Sequence, residues 1–70
     1  MNLNRAQAVG IYHIAMGSPT DAELEVSQDD NELMIEVNSV SSPRTDALWA
    51  VGRRGERRIL RSGPPLEGER

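Results

Sequence analysis

The stretch from Ala22 to Asn38 places the tightest limit on what this chain can fold into. It reads Ala-Glu-Leu-Glu-Val-Ser-Gln-Asp-Asp-Asn-Glu-Leu-Met-Ile-Glu-Val-Asn. Leu24 and Val26 alternate with Glu23, Glu25 and Ser27. Beyond a polar centre, Leu33, Ile35 and Val37 alternate with Glu32, Met34 and Glu36. Period-two alternation on both sides of a turn-forming Asp-Asp-Asn predicts a β-hairpin with one apolar and one polar face. Both apolar sets must reach the same face, which requires an even number of residues in the loop. A four-residue turn, Gln28-Asp29-Asp30-Asn31, meets that condition. It pairs Val26 with Leu33, Leu24 with Ile35 and Ala22 with Val37 inside, and Ser27 with Glu32, Glu25 with Met34 and Glu23 with Glu36 outside. Like charges directly opposite one another destabilise a sheet. Stability alone does not select such an outer face.

Charge is distributed unevenly along the chain. Residues 21–36 hold Asp21, Glu23, Glu25, Asp29, Asp30, Glu32 and Glu36 with no basic residue, a local charge of −7. Residues 53–61 hold Arg53, Arg54, Arg57, Arg58 and Arg61 against Glu56, a local charge of +4. The net charge is −3. The linear sequence is bipolar.

With 70 residues the chain is expected to form one small domain, of a size that buries only about 60% of its unfolded surface. There is no cysteine to supply a disulfide or a thiolate metal site, and only one histidine. Stability is therefore expected to be gained from a partner, with a homodimer as one route. No apolar run approaches the ~18 residues of a membrane span. The segment Ala8–Met16 is interrupted by Gly10 and His13 and followed by no convincing cleavage site, so the cytoplasm is the expected location and no membrane is implicated.

The remaining elements are read with less constraint. In residues 3–16, Asn4 suits a helix cap, Arg-Ala-Gln-Ala favours helix and Gly17-Ser18-Pro19 suits a stop. Val9, Ile11, Tyr12 and Ile14 favour strand and do not gather into one helical stripe. The favoured reading is a helix packed on the sheet's apolar face, with a strand over Ala8–Met16 as competitor. Residues 47–61 predict a second hairpin, with Trp49 and Val51 on one face, a turn at Arg53-Arg54-Gly55-Glu56, and Ile59 and Leu60 on the return. A helix from Ser42 to Gly52 competes. Ser18-Pro19-Thr20-Asp21-Ala22 and Ser42-Pro43-Arg44-Thr45-Asp46-Ala47 are near copies, read as two turns using the same chemistry. Residues 1–61 are thus assigned to a single α+β domain, an N-terminal helix on an antiparallel sheet of two hairpins. Residues 62–70, rich in Pro and Gly, are expected to be a flexible C-terminal tail.

No enzyme signature is present: no nucleophile elbow, phosphate-binding loop, zinc-protease helix or dinucleotide fingerprint. His13 lies in an apolar stretch and is read as packed or surface histidine rather than a base. Asp29-Asp30-Asn31-Glu32 lacks the ligand spacing and glycine of a calcium loop and is read as a solvated turn. No catalytic residue, metal or cofactor is assigned. Two charged surfaces remain as candidates. Carboxylates along paired strands (Glu23, Glu25, Asp29, Asp30, Glu32 and Glu36) imitate a phosphate backbone and suit the basic groove of a nucleic-acid-handling protein. Arg53, Arg54, Arg57 and Arg58, with Trp49 nearby, suit phosphates and a stacked base, or self-association against the acidic face of another copy.

Residues 16–37, Met-Gly-Ser-Pro-Thr-Asp-Ala-Glu-Leu-Glu-Val followed by Glu-Leu-Met-Ile-Glu-Val, resemble the second half of AbrB/MazE-type swapped-hairpin proteins. The resemblance implies a homodimeric DNA-binding regulator or antitoxin. No binding residue is carried over, because the family's basic N-terminal strand has no counterpart and Thr20 stands where a glycine is usual. The leading expectation is a small non-enzymatic regulator or stoichiometric inhibitor, of the kind phages use against host defences (anti-CRISPR-like), docking its acidic hairpin on a basic protein. The alternative is a nucleic-acid-binding, antitoxin-like regulator using the Arg-rich hairpin.

Overall fold

Residues 4–16 settle as helix because both ends are satisfied locally. In the computed structural model, which describes residues 2–64, helix α1 spans Arg5–Met16. The Asn4 side chain accepts from the Gln7 N–H at 2.8 Å, and the Gln7 side chain accepts from the Asn4 N–H at 3.3 Å. This reciprocal pair is a capping box, which satisfies two otherwise orphaned donors. At the far end the Gly17 N–H donates to the His13 carbonyl and the Ser18 hydroxyl to the Ile14 carbonyl. The buried stripe is Gln7, Gly10 and Ile14. Only one of these is a large apolar residue, so no apolar stripe marks the helix in the sequence.

Four strands follow: β1 (Glu23–Asp29), β2 (Glu32–Asn38), β3 (Ala47–Val51) and β4 (Arg57–Ser62). They form one antiparallel meander in the order β1-β2-β3-β4, with α1 packed on one face. The expected α+β architecture of a helix on two hairpins is the one observed.

The first hairpin has the expected faces but a tighter register. Its turn holds two residues, Asp30 and Asn31, instead of four. Both counts are even, so the inner and outer sets are unchanged. The pairs become Leu24 with Val37 and Val26 with Ile35 inside, and Glu23 with Asn38, Glu25 with Glu36 and Asp29 with Glu32 outside. The shorter turn extends the ladder toward the tip. It requires Asp30 to adopt φ 53°, which Asp tolerates better than most residues.

The second hairpin is less regular. Residues 43–45 form a single 3-10 turn that ends at Asp46, and strand β3 follows in place of a longer helix. Gly55 takes φ +84° within the β3–β4 turn. The ladder is interrupted at Leu48/Trp49, where Leu48 pairs with Arg61 and Trp49 with Ile59. Leu60 is the extra residue of this bulge. Ile59 and Leu60 are both exposed and do not anchor the return strand in the core. The sheet continues through Ser62, which pairs with Ala47, and the Gly63 N–H donates to the Asp46 carbonyl at 2.6 Å. Residues 65–70 of the expected tail lie outside the described residues.

The core is Leu33, Ile35 and Val37 of β2, Val51 of β3 and Ile14 of α1, with Ile11, Ala22, Leu24, Val26 and Trp49 packed around it. Helix and second hairpin approach closely. A Cβ added at Gly10 would lie 2.8 Å from Cγ1 of Val51, and one at Gly55 would lie 2.7 Å from the Ala6 carbonyl oxygen. The Asn4 side chain also donates to the Arg53 carbonyl at 3.0 Å. Helix α1 is thereby tied to the β3–β4 turn.

Candidate functional site

Period-two alternation sends one residue set of every strand to the side of the sheet opposite α1. By register this outer face carries Glu23, Glu25 and Asp29 on β1, Glu32, Met34 and Glu36 on β2, Leu48 and Ala50 on β3, and Arg58 and Arg61 on β4. No element lies over it among the described residues. The bipolarity of the linear sequence becomes a gradient across one face, acidic at the β1 edge and basic at the β4 edge.

The middle of that gradient is neutralised. Arg58 reaches over β3 to Glu32, with Nη2 3.1 Å from Oε2 and 3.2 Å from Oε1. Arg61 reaches Glu36, Nη2 to Oε2, at 3.4 Å. Ala50, directly between Met34 and Arg58 in register, is only 1% exposed even though it lies on the open face. Residues 21–36 have no basic residue of their own, and two of their glutamates are met by cations from elsewhere in the chain. The cations come from β4, because β3 between the two strands presents only Leu48 and Ala50 there and long arginine arms can cross it. Pairs that remain in contact with solvent, as Arg58–Glu32 does and Arg61–Glu36 does in part, contribute roughly 0–1 kcal/mol each, so they redistribute charge more than they stabilise. The Nε of Arg61 is buried with no hydrogen-bond partner among the described residues.

The six acidic candidates thus divide. Glu32 and Glu36 are held by arginines, whereas Glu23, Glu25, Asp29 and Asp30 form no ion pair among the described residues. Glu25 also sits opposite Glu36, and Asp29 opposite Glu32. These four exposed carboxylates lie along β1, an edge strand, and at the tip of its hairpin.

The basic candidates divide too. Arg58 belongs to the outer face. Arg57 lies on the helix side, paired in register with Val51, and Arg53 and Arg54 occupy the β3–β4 turn. Arg53 Nη1 is 3.5 Å from Asn31 Oδ1, linking the two hairpin tips at one end of the sheet. Trp49 packs against the core cluster on the helix side, opposite Ile35 and Ile59, so the structure does not place its ring beside Arg58. Around Arg5, Arg54 and Arg57 runs an open groove floored by Ala6, Val9 and Gly10.

A polar joint that no strand or helix pattern in the sequence marks lies at the opposite end of the sheet. Asp21 accepts from the Ser39 hydroxyl at 2.8 Å and the Ser41 N–H at 3.0 Å. Asp46, buried, accepts from the Ser39 N–H at 2.8 Å. The Ser39 hydroxyl, foremost, and the backbone of Ser41 hold the Asp21 carboxyl below its ordinary value. The near-copied Ser-Pro…Thr-Asp runs were the available signal. Each forms a turn closed onto its proline carbonyl, and their aspartates converge on Ser39.

His13 lies on the exposed side of α1, edge-on to Tyr12 with ring centroids 5.7 Å apart. Among the described residues no three His, Asp or Glu side chains are grouped so as to hold a metal ion, and no helix is long and apolar enough to cross a membrane. No family model matches the chain, and no curated protein or solved structure is significantly similar to it.

Proposed function

We propose that this protein is a non-catalytic binding module whose β1 edge docks on a basic surface of a macromolecular partner. The observation that carries the reading is the row of exposed carboxylates Glu23, Glu25, Asp29 and Asp30, which form no ion pair among the described residues while Glu32 and Glu36 are paired from β4. Like charges on neighbouring residues cost stability, and an interface with a cationic partner returns that cost while steering association. A cytoplasmic regulator or stoichiometric inhibitor of a nucleic-acid-handling protein, as in phage anti-defence, is the form such a module would take. A domain with so small a core also gains from self-association, and a second copy of the chain is the simplest such partner.

The test is a variant with Glu23→Gln, Glu25→Gln, Asp29→Asn and Asp30→Asn, which removes charge without changing shape. Immobilised wild-type protein should retain basic nucleic-acid-binding proteins from a cell lysate and release them with salt or added duplex DNA. The variant should not retain them. Equal retention by both would overturn the reading.

A second reading rests on Arg53, Arg54 and Arg57, which form no ion pair with an acidic side chain among the described residues. It predicts DNA or RNA retention that weakens steeply with salt and disappears when these arginines become alanine. No retention at low salt dismisses it.

A further inference from the structure

The outward side of α1 carries one charge, Arg5 at its first residue. From Ala6 to Met16 the helix contains no Asp, Glu, Lys or Arg, yet the sheet covers only the side bearing Gln7, Gly10 and Ile14. On the uncovered side Val9 is 48% exposed, Tyr12 58% and Met16 67%. Their spacing of three and four residues makes one stripe, and an apolar helical stripe ordinarily packs against another surface. Ile59, on the same side of the sheet beside Trp49, is also half-exposed. Apolar patches of this sort mark contact surfaces.

We infer that this side of α1 is a homodimer interface, in which two copies pair their helices antiparallel about a twofold axis near Tyr12. A twofold contact brings each residue near the axis onto its own copy, so a charged group there meets a like charge. The β1 face would set Glu23 and Glu25 against themselves, and the β3–β4 turn would do the same with Arg53 and Arg54. An axis near Tyr12 lies within the stretch Ala6–Met16 that has no Asp, Glu, Lys or Arg, with Arg54 and Arg57 bordering the groove at its Val9 end. Antiparallel pairing also sends the single charged helix residue, Arg5, to opposite ends. At 1.5 Å rise per residue the two Arg5 positions lie ~20 Å apart along the helix axis, well beyond the ~8 Å screening length of physiological salt. Ala8 and Ala15, exposed on either side of Tyr12, permit the close approach of two helices. The chain's need is evident in its core: the fully buried large side chains are Leu33, Ile35, Val37 and Val51 alone among the described residues, and no disulfide reinforces them. This interface is independent of the acidic β1 edge.

Sedimentation velocity from ~1 μM to ~1 mM spans the range over which a modest interface dissociates. The wild-type mass should rise from one chain to two, and Tm should rise with protein concentration. Tyr12→Arg and Tyr12→Glu, each with unchanged far-UV circular dichroism, should hold the mass of one chain throughout. An equimolar mixture of the two should recover the mass of two chains, because opposite charges then meet across the axis. Met16→Glu, at the helix end, serves the same purpose if either Tyr12 substitution alters the dichroism. Glu23→Gln with Glu25→Gln should leave dimerisation intact, which separates this outcome from failure of the acidic-edge reading. A monomeric wild type at the highest concentration, a dimer that survives both Tyr12 substitutions, or a mixture that does not re-pair would overturn the inference. Monomeric wild type that sediments with phosphatidylcholine vesicles would assign the surface to a membrane instead.

Discussion

The two hairpins are built from similar material and held in different ways. The first alternates regularly, turns in two residues and keeps β2 almost wholly buried on its inner face, but its outer strand β1 is only half-buried even at Leu24 and Val26. The second is bulged, turns through Gly55 and has no buried residue on β4, yet α1 is fastened directly to its tip through Asn4, Ala6 and Gly10. Regular strand patterning and tertiary support thus fall on opposite hairpins. The helix rigidifies the hairpin that cannot bury its own return strand, and it leaves the acidic edge uncovered. A partner has access to the edge that the fold does not use.

That comparison can be broken most severely at Gly55. Its φ is +84° and an added Cβ would meet the Ala6 carbonyl at 2.7 Å, so Gly55→Ala combines backbone strain with a clash and should cost about 2–4 kcal/mol. Chemical denaturation would show this as a lower midpoint, and a near-neutral result would mean the helix is not seated on this turn. Gly10→Ala is expected to cost less. Helix propensity improves by ~1 kcal/mol, but a buried Val51 methyl at 2.8 Å must move, and overpacking of about 1–3 kcal/mol outweighs the gain.

Asn4→Ala removes the capping box and the bond to Arg53 together. It should cost about 1–2 kcal/mol, with amide exchange accelerating in the β3–β4 turn before it does in β1–β2. Equal acceleration in both hairpins would argue against selective tethering. The Glu32–Arg58 pair, with Arg58 largely and Glu32 partly exposed, should show a coupling of only about 0.2–1 kcal/mol in a double-mutant cycle. A larger value would mean that the ion pairs clamp the hairpins together.

The opposite end of the sheet is sensitive to pH through Asp21. The Asp21 carboxyl is held below its ordinary value of 3.8 by Ser39 and Ser41. A depressed folded value stabilises the fold fully above 3.8 and loses that contribution as pH falls through the lower, folded value. Acid unfolding followed by circular dichroism should therefore be shallower below this pH in Asp21→Asn than in wild type. Identical acid limbs would show that the joint does not contribute.

The first hairpin was legible because side-chain alternation is a local property of strands, readable from Leu24, Val26, Leu33, Ile35 and Val37. Its parity was legible for the same reason. Its register was not, since two-residue and four-residue turns satisfy the same parity and the choice rests on whether Asp30 accepts a left-handed backbone. The helix could be read from its Asn4 cap but not from its buried stripe, because Gln7 is buried through its capping bonds and Gly10 through close packing on Val51. A hydrophobicity pattern records neither.

Composition and order along the chain determined that one segment is acidic, another basic, and that α1 is uncharged from Ala6 to Met16. Tertiary structure decided which of those charges remain available. Arg58 and Arg61 are 26 and 25 residues from the glutamates they neutralise, and only the strand order β2-β3-β4, with short side chains on β3, brings them within reach. It likewise decided that the helix keeps one side in solvent, because a helix packed on a sheet has only one side to give it.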